Sequence, residues 1–420
     1  MLRNKALLLS VLMIGSWLTA SAQSSTNSPY TRYGLGDLSD RGFANNAAMG
    51  GIGYGLRYSE HINLTNPASI SSVDSLSFMF DMGMSLKSSN YKENGISSNA
   101  KNSSFDYIAM QFRLHKRLGI AVGFTPFSNV GYNFSTTTPV EGSESYTATN
   151  TFYGDGGLQQ ITAGLGFKIL DNLSIGASAG YMYGSLNYQS SVGFNTTSDQ
   201  TIVYNEVRVK SYVANFGLQY TQKINKTDNL TLGLVYELGH TLNSTDTRGI
   251  QVTDNSNYST TNETNIYDSY GIPHTFGTGV AYMHKNRLTI GADYTLQKWG
   301  SVKYNNQTDM YKDRSKIAIG AEYLPNPIGR NYLARVRYRV GFNYATPYLK
   351  LPQFEGPSEY SVSAGFGFPL NVFQYRTVLS LTGEYVRVQP SVANVLSENR
   401  FVIKLGLTFN ERWFMKWKVN

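Results

Sequence analysis

The 420-residue chain contains no cysteine. An exported protein of this sequence carries no disulfide and no thiolate metal site. Histidine is scarce. His61, His115, His240, His274 and His284 are scattered, with no H-E-x-x-H or other paired ligand spacing, so no metal is expected. Charged residues make up only 15% of the chain, and the net charge of +8 is not gathered into a basic patch with an RNA- or DNA-binding motif. Nucleic acid is therefore not an expected partner. The stretch GGIGYG (Gly50–Gly55) neither follows a strand nor opens a helix, and it lacks a Walker lysine, so it does not read as a phosphate loop. A hydrolase needs a nucleophile, a base and an orienting group within reach. The nearest approach, His240 with Ser244, is separated on a strand by about 13 Å. The chain is not expected to be an enzyme, and no cofactor is implied. After residue 22 there is also no run of the roughly 18 consecutive apolar residues that a transmembrane helix needs.

What is present points to a different way of crossing a membrane. Residues 1–22 read as a cleaved signal peptide: Arg3 and Lys5 precede the apolar run Leu7–Leu18, and Ala20-Ser21-Ala22 fits small-x-small cleavage. The mature chain should begin at Gln23. Tyr (31), Phe (21) and Gly (40) are all abundant. Aromatics and glycine in alternating segments suit an outer-membrane barrel, which satisfies its backbone polar groups without helices. The first such segment shows the pattern. Leu76, Phe78, Phe80, Met82, Met84 and Leu86 share one face, and Ser77, Asp81, Gly83, Ser85 and Lys87 share the other.

Fourteen segments of this kind fall at Asp74–Asn90, Phe105–Leu114, Leu118–Thr136, Leu158–Leu170, Leu173–Phe194, Thr201–Ile224, Leu230–Ile250, Tyr270–His284, Arg287–Asn305, Lys312–Leu324, Tyr332–Lys350, Glu359–Phe368, Tyr375–Gln389 and Arg400–Phe409. Links after odd segments are long or polar, and links after even ones are mostly tight. That is the barrel rule of long external loops and short periplasmic turns. The expected fold is all-β: a 14-stranded antiparallel transmembrane β-barrel spanning 74–410, with an N-terminal plug inside the lumen over 23–73 and a basic, aromatic periplasmic tail over 411–420.

The plug is read from Gly34–Ser69, a Gly-, Asn- and Ala-rich stretch without helix or strand period. Inside a barrel its polar groups meet a polar wall or water. Thirteen lumen-facing glycines, among them Gly176, Gly217, Gly233, Gly320, Gly341 and Gly367, mark where another backbone approaches. Lumen charges follow from the same alternation. Arg335, Arg337 and Arg339 step along one strand, with Ala334, Val336, Tyr338 and Val340 facing lipid. Asp81, Glu237, Asp293, Glu322 and Glu384 lie across from them. An ion-pair network holding plug or wall is the simpler use of this ladder, and capture of an anionic group the sharper one. In the third segment Pro126 breaks the alternation, followed by Ser128, Asn129 and Gly131. Proline cannot donate to a ladder, so these four predict either a kink that breaks pairing and opens a window in the wall at membrane depth, a candidate lateral gate, or an ordinary bulge at the rim.

With these residues in place the chain resembles the FadL family, outer-membrane transporters of long-chain fatty acids and other hydrophobic compounds. Gly34-Leu35-Gly36, followed by Asn66-Pro67-Ala68, looks like the family's hatch. SPYTRYGLGDL (Ser28–Leu38) looks like a Bacteroidota-type version of the hatch entrance. Ala292–Asn305, Lys312–Tyr323 and Ala345–Pro352 fall in the order the family shows near its C-terminus. The resemblance implies a monomeric barrel in the outer membrane, in contact with its lipid. It implies passive uptake of a hydrophobic small molecule, which leaves sideways through the kink in strand three. The lumen list is rich in Gly, Ser and Thr, whereas ligand pockets are usually apolar. A second expectation therefore stands beside the first: a non-transporting subunit of an outer-membrane secretion or barrel-assembly complex, with other outer-membrane proteins as partners.

Overall fold

A computed structural model describes residues 25–412, apart from residue 76 and the short stretches 143–144, 196–198, 254–258, 352–354, 371–376 and 393–394. The signal peptide and the tail bearing Trp413, Phe414 and Trp417 lie outside the described residues.

Fourteen wall strands follow one another around the barrel: β1 (Ser77–Glu93), β2 (Ile96–His115), β3 (Leu118–Pro139), β4 (Thr147–Lys168), β5 (Leu173–Phe194), β6 (Gln200–Lys223), β7 (Asp228–Glu237), β8 (Thr275–His284), β9 (Leu288–Gln297), β10 (Arg314–Tyr323), β11 (Arg337–Ala345), β12 (Ser358–Leu370), β13 (Thr377–Gln389) and β14 (Ser397–Arg412). Each pairs antiparallel with the next, and β14 closes on β1 from Ser397↔Lys92 to Arg412↔Ser77. The alternation read from the sequence sets the two faces. Leu232, Leu234, Ile290, Ile319, Val340, Phe342 and Val362 are exposed on the outside, while Ser361, Ser363, Ser380, Thr382 and Arg339 are buried inside.

The wall is uneven in height. Strands β3 to β5 have 22 residues each and β6 has 24, whereas β7 to β10 have 10 each. The sequence pattern suggests one strand over Leu230–Ile250; the structure breaks it after Glu237. Residues Ser244–Thr253 instead leave the β7 line and form a raised hairpin with Ser259–Tyr267, stacked beside the upper half of β6. The Thr/Asn-rich stretch that reads as a loop is thus half strand. Its residues are polar on both sides, so no apolar period marked it. Likewise Tyr91–Ser104 is not a loop. Asn94 and Gly95, at φ 47° and 81°, make a two-residue turn of the kind that suits a tight hairpin.

Residues 25–73 fill the lumen with little regular structure: 3-10 turns at Pro29–Arg32 and Pro67–Ser72, a short helix at Ala44–Ala47, and a two-residue strand at Asp37–Leu38. Side-chain amides take the place of secondary structure. Asn63 Nδ2 donates to the carbonyls of Gly53 (2.7 Å) and Leu56 (3.2 Å), and Asn46 Nδ2 donates to Ile52 (2.7 Å). The lumen-facing glycines are where this segment touches the wall. A Cβ at Gly176, Gly217, Gly233, Gly320 or Gly341 would come within 3.0 Å of Pro67, Asn66, Tyr54, Met49 or Gly50 respectively. Gly367 is different: it meets the side chains of Arg337 and Arg339 and not the plug.

Leucine at Gly233 or Gly341 should therefore push the plug off the wall, an overpacking cost of about 1–3 kcal/mol. The expected outcome is a lower heat-unfolding midpoint and new protease cleavage within residues 44–72. Leucine at Gly193, where nothing lies within 4 Å, should leave both unchanged.

Candidate functional site: the wall opening and the plug behind it

Strand β2 pairs with β1 from Ile96 to Phe112, and β3 pairs with β4 from Leu118 to Pro139. Between β2 and β3, however, pairing covers only Ile108–His115 against Leu118–Phe124. Above that the two edges part. The cause is local. Pro126 has no N–H to give, and the β3–β4 register slips between Pro126 and Ser128, so Phe127 is an extra residue on β3. The chain's own N-terminal segment takes up part of the freed edge. Asp37 pairs with Asn129 and Leu38 with Ser128, and Ser39 N donates to Phe127 O at 2.9 Å. Thr31 Oγ1 exchanges hydrogen bonds with the Gly131 backbone at 3.2 Å, and Asn27 bonds Asn102 on β2. Pro126, Ser128, Asn129 and Gly131 thus lie together at the parted edge, three of them bonded to residues 31–39.

The hatch residues also come together with the wall. Asn66 caps the turn that Pro67 begins: its Oδ1 accepts from Ala68 N at 3.0 Å, while its Nδ2 donates to Tyr54 O (2.9 Å) and to Leu218 O (3.3 Å) on β6. Gly34 and Gly36 sit at φ +69° and +87°, a backbone conformation that L side chains rarely adopt. Their carbonyls accept from Tyr188 Oη (3.0 Å) and Tyr348 Oη (2.6 Å).

The charges form a tie between plug and wall. Arg337 donates to Glu60 of the plug (2.9 Å) and to Glu322 (3.0 Å), and Arg339 pairs with Glu322 at 2.7 Å. Glu237 holds Arg41 of the plug. Asp293 accepts from the backbone N–H groups of Gly53 (2.6 Å) and Tyr54 (2.9 Å), and Asp81 accepts from Thr408 Oγ1 at 2.8 Å. Arg335 departs from the expected ladder. It ends a 3-10 turn at Leu333–Arg335 before β11 begins, stacked on Tyr332, and Val336 is buried instead of lipid-facing. The sequence reading missed the busiest cluster. Asp37 of the plug lies between Lys87 on β1 (3.6 Å) and Arg400 on β14 (3.1 Å), Arg400 also pairs with Glu398 (2.7 Å), and Asp40 pairs with Lys316 (2.5 Å). Counting alternate positions inward along β14 finds Glu398, Arg400 and Lys404.

The space left inside is small, and charged and apolar side chains share its walls. A cavity of about 180 Å³ lies directly behind the parted edge, between Asn102–Tyr107 of β2 and Thr125–Asn129 of β3, with Lys87, Arg314, Lys316, Arg400 and Lys404 on its far walls. A second, of about 120 Å³, lies on the other side of the plug around Arg41, Glu237 and Asp293. Many apolar and aromatic side chains of the lumen pack on one another, although Phe127, Val213, Ile272 and Trp299 also face the second cavity. Leu35 of the plug is packed among Val130, Leu158, Met182, Trp299, Tyr311 and Leu349.

A family model described as BamG matches residues 1–420. The chain belongs to the BamG family. No curated protein sequence matches it. The fold of this BamG-family barrel is that of the FadL-type outer-membrane channels. The Ralstonia pickettii toluene transporter TbuX superposes with a TM-score of 0.62 at 15% identity, over 89% of this chain and 99% of that one. A Pseudomonas aeruginosa FadL homologue gives 0.62 at 13%, over 89% and 99%. The monoaromatic hydrocarbon channel CymD gives 0.60 at 15%, over 91% and 99%.

Two outcomes follow from the charge network. Glu322→Ala leaves Arg339 unpaired in the lumen and should cost about 3–5 kcal/mol, read as a lower unfolding midpoint. Lys312→Ala, at the exposed pair with Glu355, should cost less than about 1 kcal/mol. His61 of the plug is buried against Tyr58, with no hydrogen bond to its ring among the described residues. Burial, then Arg337 and Arg339, hold its pKa well below 6.5, against a smaller opposing pull from Glu322. The folded state therefore binds fewer protons at this site than the unfolded chain, so its share of stability is complete above 6.5 and declines as the pH falls below it. His61→Phe should flatten the loss of stability between pH 7 and pH 5.

Proposed function

We propose that this chain is a structural subunit of an outer-membrane machine of the barrel-assembly kind, built on a channel fold whose lumen has been given over to holding its own plug. The observation that carries this reading is the filled, charged interior. A hydrophobic permeant gains by leaving water for apolar walls, and here much of the apolar surface packs on itself while charged groups such as Lys87, Lys316, Arg400, Arg41 and Glu237 share the walls of the remaining cavities. Desolvating those groups for an apolar guest would cost several kcal/mol per ion.

The second reading is passive uptake of a small hydrophobic molecule, fatty-acid-like or aromatic, by lateral diffusion through a gate at Pro126, Ser128, Asn129 and Gly131. It is favoured by the parted β2 and β3 edges and by the fold shared with hydrocarbon channels. In this reading residues 25–39 must withdraw from the opening before anything passes.

Native mass spectrometry of the protein purified gently from outer membranes separates the two. A stoichiometric complex with other outer-membrane proteins and no bound lipid-like molecule is expected. A lone barrel carrying such a molecule would overturn the subunit reading. The paired variant Pro126→Val with Gly131→Val should leave assembly of that complex intact; if it abolishes uptake of a hydrophobic compound, transport is the function.

A further inference from the structure

Strands β3 to β6 and the raised hairpin make a fence that stands above the shorter strands β7 to β11. A fence of this kind has two side edges. At one, β3, the chain adds a strand of its own, Asp37–Leu38. At the other, Ser259–Tyr267 pairs with Ser244–Thr253 on its inner side, and among the described residues nothing pairs with its outer side. The neighbouring wall strand β9 stops at Gln297. The segment that follows turns inward and meets the hairpin at its foot, where Asn306 N donates to Ser269 O at 3.1 Å and Tyr304 pairs with Tyr270, and through Arg248 of the inner strand, whose guanidinium donates to Asn305 Oδ1. The free edge is nine residues long, about 30 Å of unpaired N–H and C=O.

Native edges are usually blunted by lysine, proline, a bulge or a covering element. This one, Ser-Thr-Thr-Asn-Glu-Thr-Asn-Ile-Tyr, has no lysine, proline or glycine. Its Thr, Ile and Tyr are strand formers. Its one charge, Glu263, accepts from the Tyr204 hydroxyl on β6. From Thr261 to Asn265 both faces are exposed and polar, so the strand stands in water and not in lipid.

We propose that this edge is a docking site for an extended strand of another protein, added to the fence outside the membrane. The proposal rests on the subunit reading and names the kind of contact by which the partner is held. Backbone groups in a row recognise an extended backbone whatever its side chains. A second copy fits poorly. Two copies in one membrane are related by an axis along the membrane normal, which makes their edge strands run parallel, the slightly weaker pairing. Ser259–Tyr267 runs down from the hairpin tip toward the membrane, so a partner strand running away from the membrane pairs antiparallel.

The test is hydrogen exchange of the barrel within its purified native complex against the lone barrel in detergent. Amides of residues 259–267 should exchange at least tenfold more slowly in the complex, at alternate positions, with the β4–β5 ladder unchanged. A complex in which these amides exchange as in the lone barrel overturns the docking proposal and leaves the subunit reading standing. Absence of any complex overturns both. Glu263→Pro and Thr264→Pro cover adjacent positions, one of which directs its N–H to the free edge. That variant should keep the folded barrel and lose the partner; retention of the partner by both refutes the proposal.

Discussion

Backbone hydrogen bonding inside a membrane admits no open ends, and this barrel comes closest to breaking that rule between β2 and β3. Pairing there lasts for seven residues of β3, roughly 24 Å along a tilted strand, before Pro126 ends it. The edge left by the parting is partly satisfied from within, by residues 31–39. The plug in turn has almost no secondary structure of its own and depends on the wall. Its carbonyls are met by Tyr188, Tyr348 and Asn side chains, its carboxylates by Lys87, Arg400 and Lys316, and its backbone is pressed into the glycines of the wall. Wall and plug are each incomplete alone.

Much of this was legible in the sequence because period-two alternation is a strong signal wherever one face meets lipid. It gave the strand count, the inward glycines and the inward acids. The glycines were informative because a wall position without a side chain is costly to a strand, so a row of them needs a reason, and Pro67, Tyr54 and Met49 supply it. Legibility failed where lipid no longer imposes the pattern. The outer hairpin strand Ser259–Tyr267 and the upper parts of β2 and β4 are rich in Ser, Thr and Asn and carry no apolar period, so they look like loop. Arg335 was misplaced for the opposite reason: alternation was carried past the strand's real start at Arg337 into a 3-10 turn. Pro126 stands just past the end of the β2–β3 pairing, whereas the two-residue strand at Asp37–Leu38 that takes up part of that edge has no sequence signature.

The same fold is found in proteins described as channels for hydrophobic compounds. Inward-facing Arg, Lys, Asp and Glu bind one another and the plug, while the aromatic cluster around Leu35 is closed. The function of such a barrel is decided by what occupies its interior and by what its unequal rim presents to neighbours.

The position of Asp37 has a consequence for biogenesis. Its carboxylate bridges β1 and β14, the first and last wall strands, which meet only when the cylinder shuts. The segment that carries it is synthesised before either. A ring that shut without this segment would bring Lys87 and Arg400 together at its seam with no Asp37 between them, so the N-terminal segment removes a repulsion that closure itself creates.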